Sequence, residues 1–174
     1  MLDGAIRPFI NPALRWIAKG LVKINLRPNQ ITYGGFIAGG IAFVALSFQF
    51  YTLALVFLVL NRISDGLDGA VARQWSEKGH EEHGLSDYGG YLDIVLDMIF
   101  YAGFVFFFCI GQPALFPYGA FLIFSFMGTS ASFLTYGIIA SKRGEETTAR
   151  GEKAFYHAGG LMEGSETFLF LGLF

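Results

Sequence analysis

The sequence predicts an all-α fold, a polytopic transmembrane helix bundle with an amphipathic interfacial helix at its N-terminus. Three observations carry this expectation. Of 174 residues, 53% are hydrophobic and only 15% charged, an apolar share above that of soluble globular domains. The apolar residues gather into runs near 30–48, 51–73, 88–110, 115–140 and 158–174, each close to the ~20 residues a helix needs to cross the hydrocarbon core. Lys and Arg are confined to residues 7–27, positions 62, 73 and 78, and 142–153, an asymmetry that orients a membrane chain.

The first 27 residues mix Ile6, Phe9, Ile10, Leu14, Ile17, Leu21, Val22 and Ile24 with Arg7, Arg15, Lys19, Lys23 and Arg27. Such a segment predicts a helix lying in the membrane interface, and Trp16 at its middle suits that depth. Pro8 and Pro12 punctuate it, and no apolar core with a small-residue cleavage site follows, so no removable signal peptide is expected. Residues 1–27 are accordingly a juxtamembrane segment and 28–174 a single transmembrane domain.

The basic loops are expected on the cytoplasmic side. That places the N-terminus and the loops 74–87 and 141–157 inside, and the turns at Gln49 and at Gln112-Pro113 outside, with five spans alternating between them. The fifth run ends at Leu171-Gly172-Leu173-Phe174 with no interfacial residue to close it, which predicts a C-terminally truncated chain. Cys109 is the sole cysteine, excluding an intrachain disulfide and a cysteine-based metal site. The net charge of -2 is uninformative for a membrane chain, where placement matters more than sum, and no nucleic-acid partner is expected.

Ionisable groups inside apolar spans cost about 2.5–3.5 kcal/mol each at a helix centre, which makes them functional candidates. Four aspartates qualify. Asp65 and Asp68 lie toward the cytoplasmic end of the second span, and Asp93 and Asp97 at the start of the third. Spacings of three and four place each pair on one helix face, with β-carbons about 5–6 Å apart, so two facing helices can aim four carboxylates at one point. Gly66, Gly69 and Ala72 on one helix and Gly89 and Gly90 on the other are small enough for close approach of backbones or ligand.

With Arg73 as the basic residue at hand, four carboxylates need further positive charge. Hard divalent cations supply it through oxygen ligands, Mg²⁺ foremost and Mn²⁺ as an alternative. A two-metal site suits displacement at phosphorus because it steadies the attacking and leaving oxygens together. In the loop, His80-Glu81-Glu82-His83 falls short of the zincin spacing and reads as a solvated segment.

These residues form the pattern Asp-x2-Asp-Gly-x2-Ala-Arg followed by Gly-x3-Asp-x3-Asp, filled here by Asp65, Asp68, Gly69, Ala72, Arg73, Gly89, Asp93 and Asp97. The chain thereby resembles the CDP-alcohol phosphatidyltransferases. The resemblance extends to the basic amphipathic N-terminal segment, to Pro28-Asn29-Gln30-Ile31-Thr32 before the first span, and to Glu163-Gly164-Ser165-Glu166-Thr167 in the fifth. It implies six spans, hence the expectation of a missing sixth. One departure is the gap of residues 74 to 88, longer than is usual in the family.

The resemblance implies transfer of a phosphatidyl group from a CDP-linked lipid such as CDP-diacylglycerol to an acceptor alcohol, with release of CMP. It implies two Mg²⁺ ions, with Asp65 and Asp93 touching both, Asp68 ligating the first, and Asp97 ligating the second and serving as general base. Gly69 and Arg73 would contact the nucleotide diphosphate, and Asn29, Thr32 and Ser86 would lie by the cytidine. It further implies a homodimer in the bacterial cytoplasmic membrane with its active site facing the cytoplasm.

The acceptor stays open at this stage. Arg143, Arg150 and Lys153 are candidates for a phosphorylated acceptor, and His157, Glu163 and Glu166 for a polyol. Two rival readings are a noncatalytic CDP-lipid-binding paralogue and a cation or proton transporter, since embedded carboxylates also mark ion pathways.

Overall fold

A computed structural model describes residues 2–143, apart from the side chains of residues 2–7, 9 and 81. It contains five α-helices: α1 (Leu2–Lys23), α2 (Pro28–Ser47), α3 (Tyr51–Glu77), α4 (Asp87–Gly111) and α5 (Phe116–Lys142). Short 3-10 turns, Glu81–His83 and Pro113–Leu115, precede α4 and α5. The chain is a polytopic helical bundle. Helix α2, helix α4 and the stretch from Pro113 to Lys142 are long and apolar enough to cross a membrane. Helix α3 is as long, but from its middle onward it carries Arg62, Asp65, Asp68 and Arg73. The expected fifth span lies outside the described residues, as do Arg150, Lys153, His157, Glu163 and Glu166.

Each helix boundary has a local cause. At the end of α1, Asn25 adopts a left-handed backbone (φ 57°), and the Leu26 amide reaches back to the Leu21 carbonyl at 3.1 Å, a closure that satisfies orphan carbonyls. Pro28 then opens α2, a position where its missing N–H costs nothing, while the Arg27 amide donates to Gln30 Oε1 at 3.0 Å. Gln49 (φ 60°) ends α2 in the same left-handed way. Ser86 caps α4 by accepting the Gly89 amide at 3.1 Å, as a serine at this position should.

Helix α2 is the spine. Both α3 and α4 pack along it, while the α3 and α4 backbones stay further apart and meet through side chains such as Leu58, Arg62 and Phe100. Glycines make the approach: a β-carbon on Gly35 would stand 2.7 Å from Ser64 Cβ, and one on Gly39 2.9 Å from the Phe100 ring. From the α4 side, a β-carbon on Gly103 would stand 2.6 Å from the Phe43 ring. Small residues drive helix packing in bilayers because close contact replaces a hydrophobic force that lipid removes. Gly66 and Gly89, expected to allow close approach of backbones or a ligand, do not bring the α3 and α4 backbones together. Gly66 meets Leu14 of α1, while Gly89 meets the capping Ser86.

The bundle has two packed centres. In one, Phe43 stacks between Phe100 and Phe107, with centroids 5.5 and 5.0 Å away, over Leu46, Leu58, Phe104 and Val105. In the other, Ala18 and Val22 of α1 pack against Ala70, Val71 and Trp75 of α3. Trp16 and Ile24 point away from that contact and are 78% and 70% exposed, so α1 has a second apolar side for the interface. At the opposite end, Gln112 Nε2 donates to the Tyr51 hydroxyl at 2.9 Å, and Gln49 donates to the Gly111 carbonyl, tying the two turns together. In α5, only Gly119 and Ala140 are buried, which leaves Phe124 to lipid while Phe126 packs on the core.

The loop after α3 is largely exposed, as expected of a solvated segment, and one side of it rests on Trp75. His80 and His83 stand edge-on to the buried Trp75 at 5.3 and 5.5 Å. The Trp75 indole donates to the Leu26 carbonyl at 3.0 Å, so the same side chain joins the loop to the α1–α2 turn.

Candidate active site

Helices α3 and α4 both pack along α2 and reach each other through side chains, and a small open cleft lies between them. Its walls include Thr32, Asn61, Arg62, Asp65, Asp68, Asp93 and Asp97, with Gly35 and Phe36 on the α2 side. All four aspartates singled out from spacing therefore share one cavity. It lies toward the end of the bundle that carries the α1–α2 turn and the loop between α3 and α4, away from the Gln49 and Gln112 turns.

The carboxylates have distinct surroundings. Asp68 is buried and accepts the Thr32 hydroxyl at 2.5 Å, a contact that joins α2 to α3. Asp97 and Asp65 are more open, their side chains 30% and 34% exposed. Gly69 lies under Arg73: a β-carbon there would be 3.5 Å from a guanidinium nitrogen, so the glycine leaves that face of α3 clear beside Asp68. Asn29 sits in the first turn of α2, and Ser86 caps α4. Neither lines the cleft, nor do Gly69 and Arg73.

The residue that spacing alone did not single out is Arg62. It counted as one of the orienting basic positions, whereas its side chain is 17% exposed and turned into the cleft. One guanidinium nitrogen, Nη1, lies 2.8 Å from Asp97 Oδ1, 3.9 Å from Asp65 Oδ2 and 3.1 Å from the Tyr101 hydroxyl. Nε and Nη2 both donate to Asn61 Oδ1, at 2.9 and 2.7 Å. The Phe100 and Tyr101 rings flank the plane at 4.8 and 5.3 Å. Arg73 is thus not the sole cation near the four carboxylates. The signal was present: Arg62 precedes Asp65 by one turn, and an ionisable group in an apolar span is a candidate whichever its sign.

As a metal site the cleft has suitable donors, since carboxylates and a threonine hydroxyl are hard oxygen ligands of the kind Mg²⁺ prefers. Among the described residues, no three acidic or imidazole side chains are drawn together closely enough to hold one ion. Instead, the cation between Asp97 and Asp65 is the Arg62 guanidinium.

The chain is 40% identical over 170 residues to inner membrane protein YnjF of Escherichia coli, covering 97% of this chain and 79% of that protein. It is 33% identical over 101 residues to archaetidylinositol phosphate synthase of Pyrococcus horikoshii, covering 58% of this chain and 50% of that protein. No solved structure matches. The CDP-alcohol phosphatidyltransferase profile matches residues 25–157, a span that runs from the α1–α2 turn through every aspartate of the cleft, and the chain belongs to that family.

Proposed function

We propose that the protein transfers a substituted phosphate group from a CDP-linked lipid, such as CDP-diacylglycerol, to an acceptor alcohol and releases CMP. The observation that carries this reading is the placement of the four motif carboxylates on one cleft between α3 and α4. The basic loops put that cleft on the cytoplasmic side, where a soluble nucleotide can leave. The apolar outer faces of α4 and α5 keep acyl chains in the bilayer. The same reading includes a homodimer in the bacterial cytoplasmic membrane.

In the reaction, the acceptor hydroxyl attacks the lipid-side phosphorus. A new O–P bond forms as the bond from that phosphorus to the CMP oxygen breaks. Asp97, at the cleft wall, takes the hydroxyl proton, a contribution of about 10²–10⁴-fold for a positioned base. Arg73 would supply a bidentate contact to the donor diphosphate, and Thr32 orients Asp68 through its hydroxyl. Asp65, Asp68, Asp93 and Asp97 would hold two Mg²⁺ ions, with Mn²⁺ as substitute, whose chemistry is neutralisation of charge on the attacking and leaving oxygens. The likeness to a protein named archaetidylinositol phosphate synthase makes an inositol phosphate the first acceptor to try.

The test is CMP release by the full chain in lipid with CDP-diacylglycerol, Mg²⁺ and a panel of inositol phosphate, glycerol 3-phosphate, serine and glycerol. Acceptor-dependent CMP that disappears in Asp97→Asn supports the transferase and identifies the acceptor class. CDP-lipid binding without CMP formation from any acceptor would instead support a noncatalytic binding protein.

A further inference from the structure

We propose that Arg62 is a positioning residue, a fixed internal counter-cation that holds Asp97 and Asp65 until a divalent ion takes those carboxylates from it. The inference rests on the metal-dependent reading above and concerns how strongly the cleft takes up its ion.

The guanidinium is anchored on the side away from the carboxylates. Asn61 accepts from both Nε and Nη2, at 2.9 and 2.7 Å. Asn61 is itself buried and donates Nδ2 to the Gly35 carbonyl at 2.8 Å. Gly35 in turn lies where α2 and α3 approach most closely, since a β-carbon there would stand 2.7 Å from Ser64. The Phe100 ring, with Phe100 1% exposed, closes one face of the guanidinium. Only Nη1 is shared with the aspartates, at 2.8 Å from Asp97 and 3.9 Å from Asp65.

Two consequences follow. Before an ion enters, Arg62 offsets repulsion among the carboxylates and aims Asp97 across the cleft from α4 toward α3. When an ion binds Asp97, the Nη1 contact must break, yet the charge cannot withdraw far because Asn61 still holds it. An ion on that carboxylate would sit about 2.0–2.1 Å from its oxygen, leaving the two cations on the order of 5 Å apart. Even with water-like screening, a unit charge at about that distance weakens binding of a divalent ion roughly tenfold. Arg62 therefore raises the concentration of divalent ion needed to fill the cleft.

The experiment is Mn²⁺ binding to the purified full chain in lipid nanodiscs, read from free-ion electron paramagnetic resonance without substrate, for wild type, Arg62→Gln, Arg62→Met and Arg62→Lys. Removing the charge in Arg62→Gln or Arg62→Met is expected to tighten Mn²⁺ at least tenfold. Arg62→Lys, which keeps the charge but loses the two-nitrogen hold on Asn61, is expected to fall between wild type and the neutral variants. A merely structural arginine would leave Mn²⁺ affinity unchanged or weaken it in the neutral variants, and that result overturns the proposal while leaving the transferase reading intact. Failure of both neutral variants to fold overturns it too, because the charge would then serve the fold. Absence of Mn²⁺ binding in wild type and variants alike overturns this proposal together with the metal-dependent reading.

Discussion

Gly39 and Gly40 are neighbours in α2 whose substitution by alanine should have opposite effects. A β-carbon on Gly39 would lie 2.9 Å from both Cδ2 and Cε2 of Phe100 and 3.3 Å from Asn61 Nδ2, whereas one on Gly40 would meet nothing within 4 Å. Carbon atoms pack comfortably at about 3.5–4.0 Å, so the Phe100 ring must retreat by somewhat under or about an ångström. It has little room, being 1% exposed and stacked near Phe43, Tyr101 and Phe104. Overpacking of this kind costs about 1–3 kcal/mol, while exchanging glycine for alanine inside a helix gains about 0.5–1 kcal/mol. Gly40→Ala should therefore be neutral or slightly stabilising, and Gly39→Ala should be less stable than it by the overpacking cost.

The displaced ring also carries Arg62, whose guanidinium lies 4.8 Å from its centroid. Gly39→Ala should consequently slow CMP release as well, and Gly40→Ala should not. Thermal unfolding in one detergent, together with the CMP assay, measures both. Equal stability and equal activity of the two variants would refute the packing argument, because it predicts a difference between adjacent positions from steric contact alone.

Thr32→Val removes the hydroxyl that donates to Asp68 at 2.5 Å; hydrogen bonds to a charged group are worth about 1.5–3 kcal/mol. CMP release per unit of donor should fall on the order of 10- to 100-fold and recover in Thr32→Ser. Trp75→Phe leaves the Leu26 carbonyl without the indole donor and loosens His80 and His83. It should cost about 1–3 kcal/mol in thermal unfolding and speed tryptic cleavage after Lys78.

Much of the bundle was legible in the sequence because its signals are local. Run lengths located α2 to α5 to within a few residues, and three- and four-residue spacing put each aspartate pair on one face. The end of α3 was less legible: the apolar run stops near Arg73, yet the helix continues to Glu77 because Trp75 finds a buried partner surface on α1. The loop that follows is exposed over most of its length, as expected, whereas the contact of His80 and His83 with Trp75 has no periodic signature.

By itself, then, the sequence determined that the chain is a helical membrane protein, that Asp65, Asp68, Asp93 and Asp97 pair up on helix faces, and which family pattern they fill. These follow from hydropathy and helical period, which depend on near neighbours in the chain. Only the tertiary structure decided that α3 and α4 each pack along α2, with close approaches at Gly35, Gly39 and Gly103, outside the aspartate motif. Only it decided that Arg62 turns inward to Asp97 instead of serving as an orienting charge at the membrane edge. The physical reason is that a helix spacing rule specifies the face a residue occupies, whereas the neighbour facing it depends on which helices pack together, and that is set by the fit of small and large side chains far apart in sequence.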